Sequence, residues 1–486
     1  MEAFQLAVPF KELVLLSLVC FLLFVTPAVS AEKRAAYHSL NVAARLQEVR
    51  SQPVHLQHTN EQEENQNVPR HPWKLQILHR DALIVGNLTY QHRIIERLKR
   101  ESRRVKALNR RMEKKLNKGK EMMNGKSKTE GFSGVVISGM AEGSGEYFTR
   151  IGVGTPAREQ YFVLDTGSDV VWVQCQPCND CYDQADPVFD PSSSASFTSI
   201  SCGSPVCNEL DVADCNSRGC VYQVAYGDGS YSIGSFATET LTFGTTAVQN
   251  VGIGCGHDNK GLFVGAGGLL GLGAGRLSFP TQLGTYGKVF SYCLVDRASG
   301  SSGTLEFGPA SEPPAGSVFT QLLRNPQMDT FYYVSLTAIS VGGLLVSLPQ
   351  SVFEFDETGQ GGVIVDSGTS VTRLQKEAYE AMRDAFVAGT TDLPRAPGIA
   401  IFDTCYDLSG HQTVSVPTVG FHFLNGVGLI LPAGNYLIPM DSKGTFCLAF
   451  APTSGDLSII GNIQQQHFRV SIDSESSLVG FAPNQC

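Results

Sequence analysis

Two aspartates in this chain sit in matching surroundings. The stretch VLDTGSDVVWVQC, Val163–Cys175, places Asp165 at the end of an apolar run, followed by Thr166, Gly167 and Ser168. The stretch VIVDSGTSVT, Val363–Thr372, repeats the design with Asp366, Ser367, Gly368 and Thr369. A single Asp-x-Gly is an ordinary turn. Two copies with the same flanks, 201 residues apart, describe one device used twice. If the two loops meet in a poorly solvated cleft, both carboxylates cannot ionise easily and they share a proton. One then takes a proton from a water held between them while the other donates to a substrate carbonyl, so acid and base come from one residue type.

The neighbours suit that chemistry. Gly167 and Gly368 let backbone approach the carboxylates and offer N–H donors. Thr166 and Ser367 can hydrogen-bond across the junction between the loops. Ser168 and Thr369 can donate hydroxyl hydrogens to the outer carboxylate oxygens, which favours and orients the charged form.

The elements that must position these loops are read from composition and repetition. At 486 residues, with 42% hydrophobic and 17% charged content, the chain can bury a large core and is expected to form more than one domain. Fifty Gly and 23 Pro among short β-branched and aromatic runs point to strands and turns rather than helices. Each Asp element is followed by an apolar pair and Gly, Leu269-Leu270-Gly271 and Ile459-Ile460-Gly461, at similar offsets. A mostly β fold of two related lobes follows, with expected bounds 140–310 and 311–486. Within the first lobe, YGDGS reads as a hairpin turn at Gly227, Asp228 and Gly229, next to Tyr226.

Ahead of the lobes, residues 1–30 read as a secretory signal: LVLLSLVCFLLFV is short for a bilayer span and AVS precedes Ala31. No membrane anchor is expected. Residues 31–139 hold 22 Lys+Arg against 11 Asp+Glu, whereas 140–486 hold 14 against 33. In that basic leader, Ile94, Leu98, Val105, Leu108, Met112 and Leu116 recur at helical spacing. A nucleic-acid arm is one reading of such a helix, but an exported chain with an acidic body favours an intramolecular partner, a propeptide held by charge and loosened by acid. GMAEGSG is a candidate linker, and Asn87 lies in a glycosylation sequon.

Without Cys20 twelve cysteines remain, an even set suited to disulfides in an oxidising compartment. Zinc is the weaker alternative for the CQPCNDC cluster near His257, and no metal or cofactor is expected.

The body resembles the pepsin-like aspartic proteases, and within them the atypical nepenthesin-type group of plants. The resemblance runs from GSGEYFTRIGVGTP to the C-terminus and includes both Asp motifs, YGDGS and the runs GCGHDNKGLF, FDTCYDL and SIIGNIQQQ, which look like guard-cell members. It implies a bilobal β fold with Asp165 and Asp366 on the floor of a long cleft, and an aspartic endopeptidase acting on extended peptide. It further implies that YGDGS is the tip of a flap over the substrate, with Trp172 supporting the Tyr226 hydroxyl. The disulfides it implies are Cys175–Cys178, Cys181–Cys255, Cys202–Cys220, Cys207–Cys215, Cys293–Cys486 and Cys405–Cys447.

The resulting expectation is a secreted, monomeric zymogen active at acid pH, extracellular or apoplastic, with vacuole and plastid as alternatives. Its partners would be peptide or protein substrates and its own propeptide, with no nucleic acid. The rival is a catalytically silent protein of the xylanase-inhibitor type, which shares the fold. Both Asp motifs and the flap tyrosine are intact here, which argues against that rival.

Overall fold

The computed structural model describes residues 36–50, 74–80, 89–123, 147–226, 230–261, 263, 265–295, 302–308, 314, 316–483 and 485–486, with the side chains of 113–123, 350 and 425 excepted. The expected signal segment 1–30, the linker GMAEGSG, the sequon at Asn87, the turn residues Gly227, Asp228 and Gly229, and the Leu116 side chain lie outside them.

Two β-rich lobes repeat one topology. In the first, Tyr147–Val153 pairs antiparallel with Arg158–Asp165. The strand Gly268–Gly271 then runs parallel to Phe162–Asp165 and antiparallel to Trp172–Val173. In the second, Ser458–Ile460 runs parallel to Val363–Val365 and meets Arg373 antiparallel at Ile459. The apolar-apolar-Gly segments are thus the strands that cross behind each Asp loop. Because both faces of these strands are covered, the runs before the aspartates are continuously apolar: Phe162, Val163 and Leu164, and Val363, Ile364 and Val365, are all buried.

A sheet joins the lobes. Val318–Leu323 pairs with Leu478–Pro483, which pairs with Phe468–Asp473, then Val289–Cys293, then Gly303–Phe307. The next strand comes from the basic leader. Lys74–His79 pairs with Gly303–Glu306 on one side and touches Phe148 and Tyr147 on the other, with Leu75 and Ile77 buried in the main core. A second leader strand, Tyr37–Asn41, adds to Thr413–Pro417.

The leader also supplies the long helix Tyr90–Met123. Its stripe packs on the C-terminal lobe: Ile94 and Leu98 against Val371, Phe402, Met440 and Ile463, then Val105, Leu108 and Met112 against Met328, Phe331, Ile364 and Leu457. Each such buried side chain contributes on the order of 1.5–3 kcal/mol. Of the described residues, no helix is long and apolar enough to cross a membrane.

Four expected disulfides are corrected. Cys175 bonds Cys255, not Cys178, and Cys181 bonds Cys178, not Cys255. The cause is strand register: Trp172–Gln174 runs parallel beside Gly254–Gly256, and Cys175 N–H donates to Gly256 O at 2.8 Å, which brings Cys175 to Cys255. Cys202 bonds Cys215 and Cys207 bonds Cys220, replacing Cys202–Cys220 and Cys207–Cys215. Here burial sorts the pairs. Cys207 and Cys220 enter a core cluster with Trp172, Tyr222 and Phe236, while Cys202 and Cys215 stay exposed. Cys293 bonds Cys486 and Cys405 bonds Cys447, a pair directly opposite in one ladder.

Candidate active site

Asp165 closes the strand Arg158–Asp165 and Asp366 follows Val363–Val365. Their backbones are pinned from behind, Leu272 N–H donating to Asp165 O at 2.8 Å and Asp366 N–H donating to Ile460 O at 3.1 Å. Both carboxylates are buried, 1% and 0% exposed, at the junction of the lobes.

Each carboxylate rests in the same nest. Gly167 N–H donates to Asp165 Oδ1 at 3.0 Å and Ser168 Oγ to Asp165 Oδ2 at 2.7 Å. Gly368 N–H donates to Asp366 Oδ1 at 2.9 Å and Thr369 Oγ1 to Asp366 Oδ2 at 2.6 Å. Between the loops, Ser367 N–H donates to Thr166 Oγ1 at 2.8 Å and Thr166 N–H to Ser367 Oγ at 3.3 Å. Neither glycine can be replaced without collision. A Cβ on Gly368 would stand 2.5 Å from Asp165 Oδ1, and one on Gly167 2.9 Å from Asp366 Oδ1.

Over this floor stands the hairpin of Gly219–Ala225 and Tyr231–Phe243. Tyr226 continues it, its N–H donating to Ser230 O at 2.8 Å, and its hydroxyl accepts from the indole N–H of fully buried Trp172 at 2.6 Å. Phe263 packs edge-on against both rings. Burial, with the charge of Asp165 nearby, pushes the Tyr226 hydroxyl well above its ordinary value, so it stays a neutral donor.

Sequence reasoning missed what lies between the aspartates. Arg104 of the leader helix puts Nη2 2.6 Å from Asp165 Oδ1 and 3.0 Å from both oxygens of Asp366. Its Nε donates to Asp366 Oδ2 at 3.1 Å and to Thr369 Oγ1 at 3.2 Å. One nitrogen therefore bonds both carboxylates, and they lie no further apart than those two contacts allow. Burial works against the Asp165 anion, but the charge and hydrogen bonds of Arg104 outweigh it and hold the carboxyl below the usual range. Burial lifts Asp366 instead, Arg104 opposing and the Asp165 anion reinforcing. Arg104 itself remains a cation: burial disfavours the charge, but the two carboxylates more than compensate.

A second buried pair lies one helical turn away. Arg373 donates Nε to Glu101 Oε1 at 2.7 Å and Nη2 to Glu101 Oε2. One signal for these contacts was present in the sequence. The apolar stripe skips from Leu98 to Val105, and the missing turn is where Glu101 and Arg104 sit on the packed face.

A family model described as xylanase inhibitor N-terminal matches residues 147–309, and one described as xylanase inhibitor C-terminal matches 331–483. The chain is 52% identical over 420 residues to protein aspartic protease in guard cell 2 of Arabidopsis thaliana, covering 85% of this chain and 88% of that one. It is 39% identical over 378 residues to aspartic proteinase nepenthesin-1 of Nepenthes gracilis, covering 77% and 84%. Among solved structures it resembles edgp, with a TM-score of 0.58 at 20% identity, covering 69% of this chain and 91% of that one, a likeness of fold.

Proposed function

Given that the chain belongs to the pepsin-like aspartic proteases of plants, the group that includes nepenthesin, and is an aspartic-type endopeptidase, we propose that Asp165 and Asp366 are its catalytic dyad and that residues 31–139 are an inhibitory propeptide. The single observation that carries both parts is the Arg104 guanidinium bonded to the two carboxylates at once.

In the processed enzyme a water takes the place of that guanidinium. One carboxylate removes a proton from the water as its oxygen attacks the peptide carbonyl carbon, and the protonated partner donates to the carbonyl oxygen. The resulting diol collapses, the C–N bond breaks and the amine leaves with a proton returned by the dyad. Thr166, Gly167, Ser168, Ser367, Gly368 and Thr369 hold the carboxylates in register. Tyr226 covers the substrate and Trp172 fixes its hydroxyl. The lobes 140–310 and 311–486 supply one aspartate each.

The leader acts as an intramolecular inhibitor in three ways: a strand inserted between the joining sheet and the first strand of the N-terminal lobe, an apolar helix face across the C-terminal lobe, and a cation on the dyad. A secreted zymogen, cut near the linker and active at acid pH outside the cell, follows from the signal-like 1–30 segment and the disulfides. The test is to acidify purified precursor beside an Asp165→Asn version while following leader removal and peptide cleavage. Loss of both in the variant supports a self-activating dyad, and loss of cleavage alone points to a separate processing protease. Peptide cleavage retained in the variant refutes the dyad assignment.

A further inference from the structure

We propose that Arg373 is a substrate-specificity residue of the processed enzyme: the anchor of a subsite that takes an acidic side chain one or two residues from the scissile bond. The inference rests on the reading that the leader leaves the cleft.

Arg373 lies on the strand Thr372–Leu374, which continues from the Asp366 loop. Among the described residues its guanidinium is held from the body by a single bond, Nη1 donating to Pro452 O at 3.1 Å. Its other partners among the described residues belong to the leader: Nε and Nη2 grip the two oxygens of Glu101, and Nη2 also donates to Ser102 Oγ at 3.2 Å. Among the described residues, Glu101 is the one carboxylate it meets. With the leader in place Glu101 is fully buried and Arg373 nearly so, 0% and 6% exposed on their side chains.

Removing the helix Tyr90–Met123 therefore uncovers a planar, two-pronged donor with no acid of its own lobe beside it among the described residues. A guanidinium fork matches a carboxylate in geometry as well as charge, and Lys or a neutral side chain cannot satisfy both prongs. The nearest replacement in the cleft is a side chain of the bound peptide.

Distance sets the position. Arg104 marks the reaction centre, and Glu101 precedes it by three residues on the same helix, about 4.5 Å along the axis at 1.5 Å per residue. Extended peptide advances roughly 3.3 Å per residue, so the same span is one to two residues of substrate. The leader thus presents a carboxylate to Arg373 and a blocking cation to the dyad from adjacent positions of one face. A substrate offers the first without the second.

The test uses enzyme freed of its leader and a set of peptides in which Glu or Gln is placed in turn at three positions on each side of one cleavage site. Assays near pH 5 keep the substrate glutamate charged, above its ordinary value of about 4.3. The expected result is a roughly ten- to hundredfold higher kcat/KM for Glu over Gln at one position within two residues of the cleaved bond, the range for a hydrogen-bonded charge. In Arg373→Gln that ratio falls to about one, and in Arg373→Lys it is partly kept. Each ratio is read within one protein, so absolute rates do not enter. If Arg373→Gln does not fold, the unsubstituted enzyme alone decides. Cleavage of the Gln peptides with no Glu preference anywhere, or a preference that survives Arg373→Gln, overturns the inference and leaves the proteolytic reading standing. Cleavage of no peptide defeats both.

Discussion

Arg104 Nη2 stands 2.6 Å from Asp165 Oδ1, although 61 residues separate them in the chain. The contact sets how docking of the leader responds to pH. Arg104 holds the Asp165 carboxyl below its ordinary range against the opposing effect of burial, so this contribution is complete above the ordinary aspartate value of about 3.9. It is lost as the pH falls through the depressed value. Glu101 and Asp366 work the other way, because burial raises both, and their contributions decline as the pH rises through the raised values. Release by acid therefore runs through Asp165.

Hydrogen exchange of the helix Tyr90–Met123 in intact precursor checks this. Protection should persist near pH 5 and fall below about pH 4, with intact mass showing that the leader is still attached. Arg104→Gln should lower protection at pH 5 by on the order of 3 kcal/mol, the usual cost of breaking a buried ion pair, and flatten the acid-side fall. An unchanged acid-side fall in the variant contradicts the role given to Arg104.

Ser367→Ala tests the junction between the lobes. It removes the acceptor of Thr166 N–H and the partner of Thr166 Oγ1 while leaving Ser367 N–H bonded to Thr166. A buried donor left unpaired costs about 1–3 kcal/mol, so the unfolding free energy should drop by about that much and the denaturation midpoint with it. Thr166→Ala, which strips the acceptor from Ser367 N–H, should cost a similar amount, and the double variant less than the two together because the groups are one network. Full additivity would mean that the loops are not coupled through these hydroxyls.

Tyr226→Phe probes the flap. The change keeps the ring against Phe263 and deletes the oxygen that accepts the Trp172 indole N–H at 2.6 Å. Processed enzyme should lose roughly two- to tenfold in kcat/KM, the value of one hydrogen bond, and about 1–3 kcal/mol of stability because the buried Trp172 N–H is left without an acceptor. An unaltered kcat/KM would make the tyrosine a packing residue only.

The aspartates were legible because their chemistry is local: turn, hydroxyl and glycine lie within three residues of each carboxyl, and the motif occurs twice. The two-lobe plan was legible for the same reason, since the apolar pair and Gly recur at matching offsets. Pairings that depend on tertiary register were not. Nothing near Cys175 in sequence says that a strand some eighty residues on will lie parallel to it, whereas Cys178 is three residues away. The leader hid more. Lys74–His79 alternates Leu75 and Ile77 with polar residues, a strand signal overshadowed by the charge of its surroundings. Glu101 and Arg104 read as a solvated turn of a basic helix until their partners, more than sixty residues away, are brought to the same face.

The most direct measurement is peptide hydrolysis near pH 5, where the leader stays docked, before and after the leader is excised. A foreign cleavage site placed within residues 124–146 allows removal without relying on the enzyme itself, and the cut leader is then separated from the body. The account predicts that the uncut chain, shown intact by mass, is silent and that the separated body hydrolyses peptide. Equal hydrolysis by the uncut chain, or none by the separated body, would contradict it.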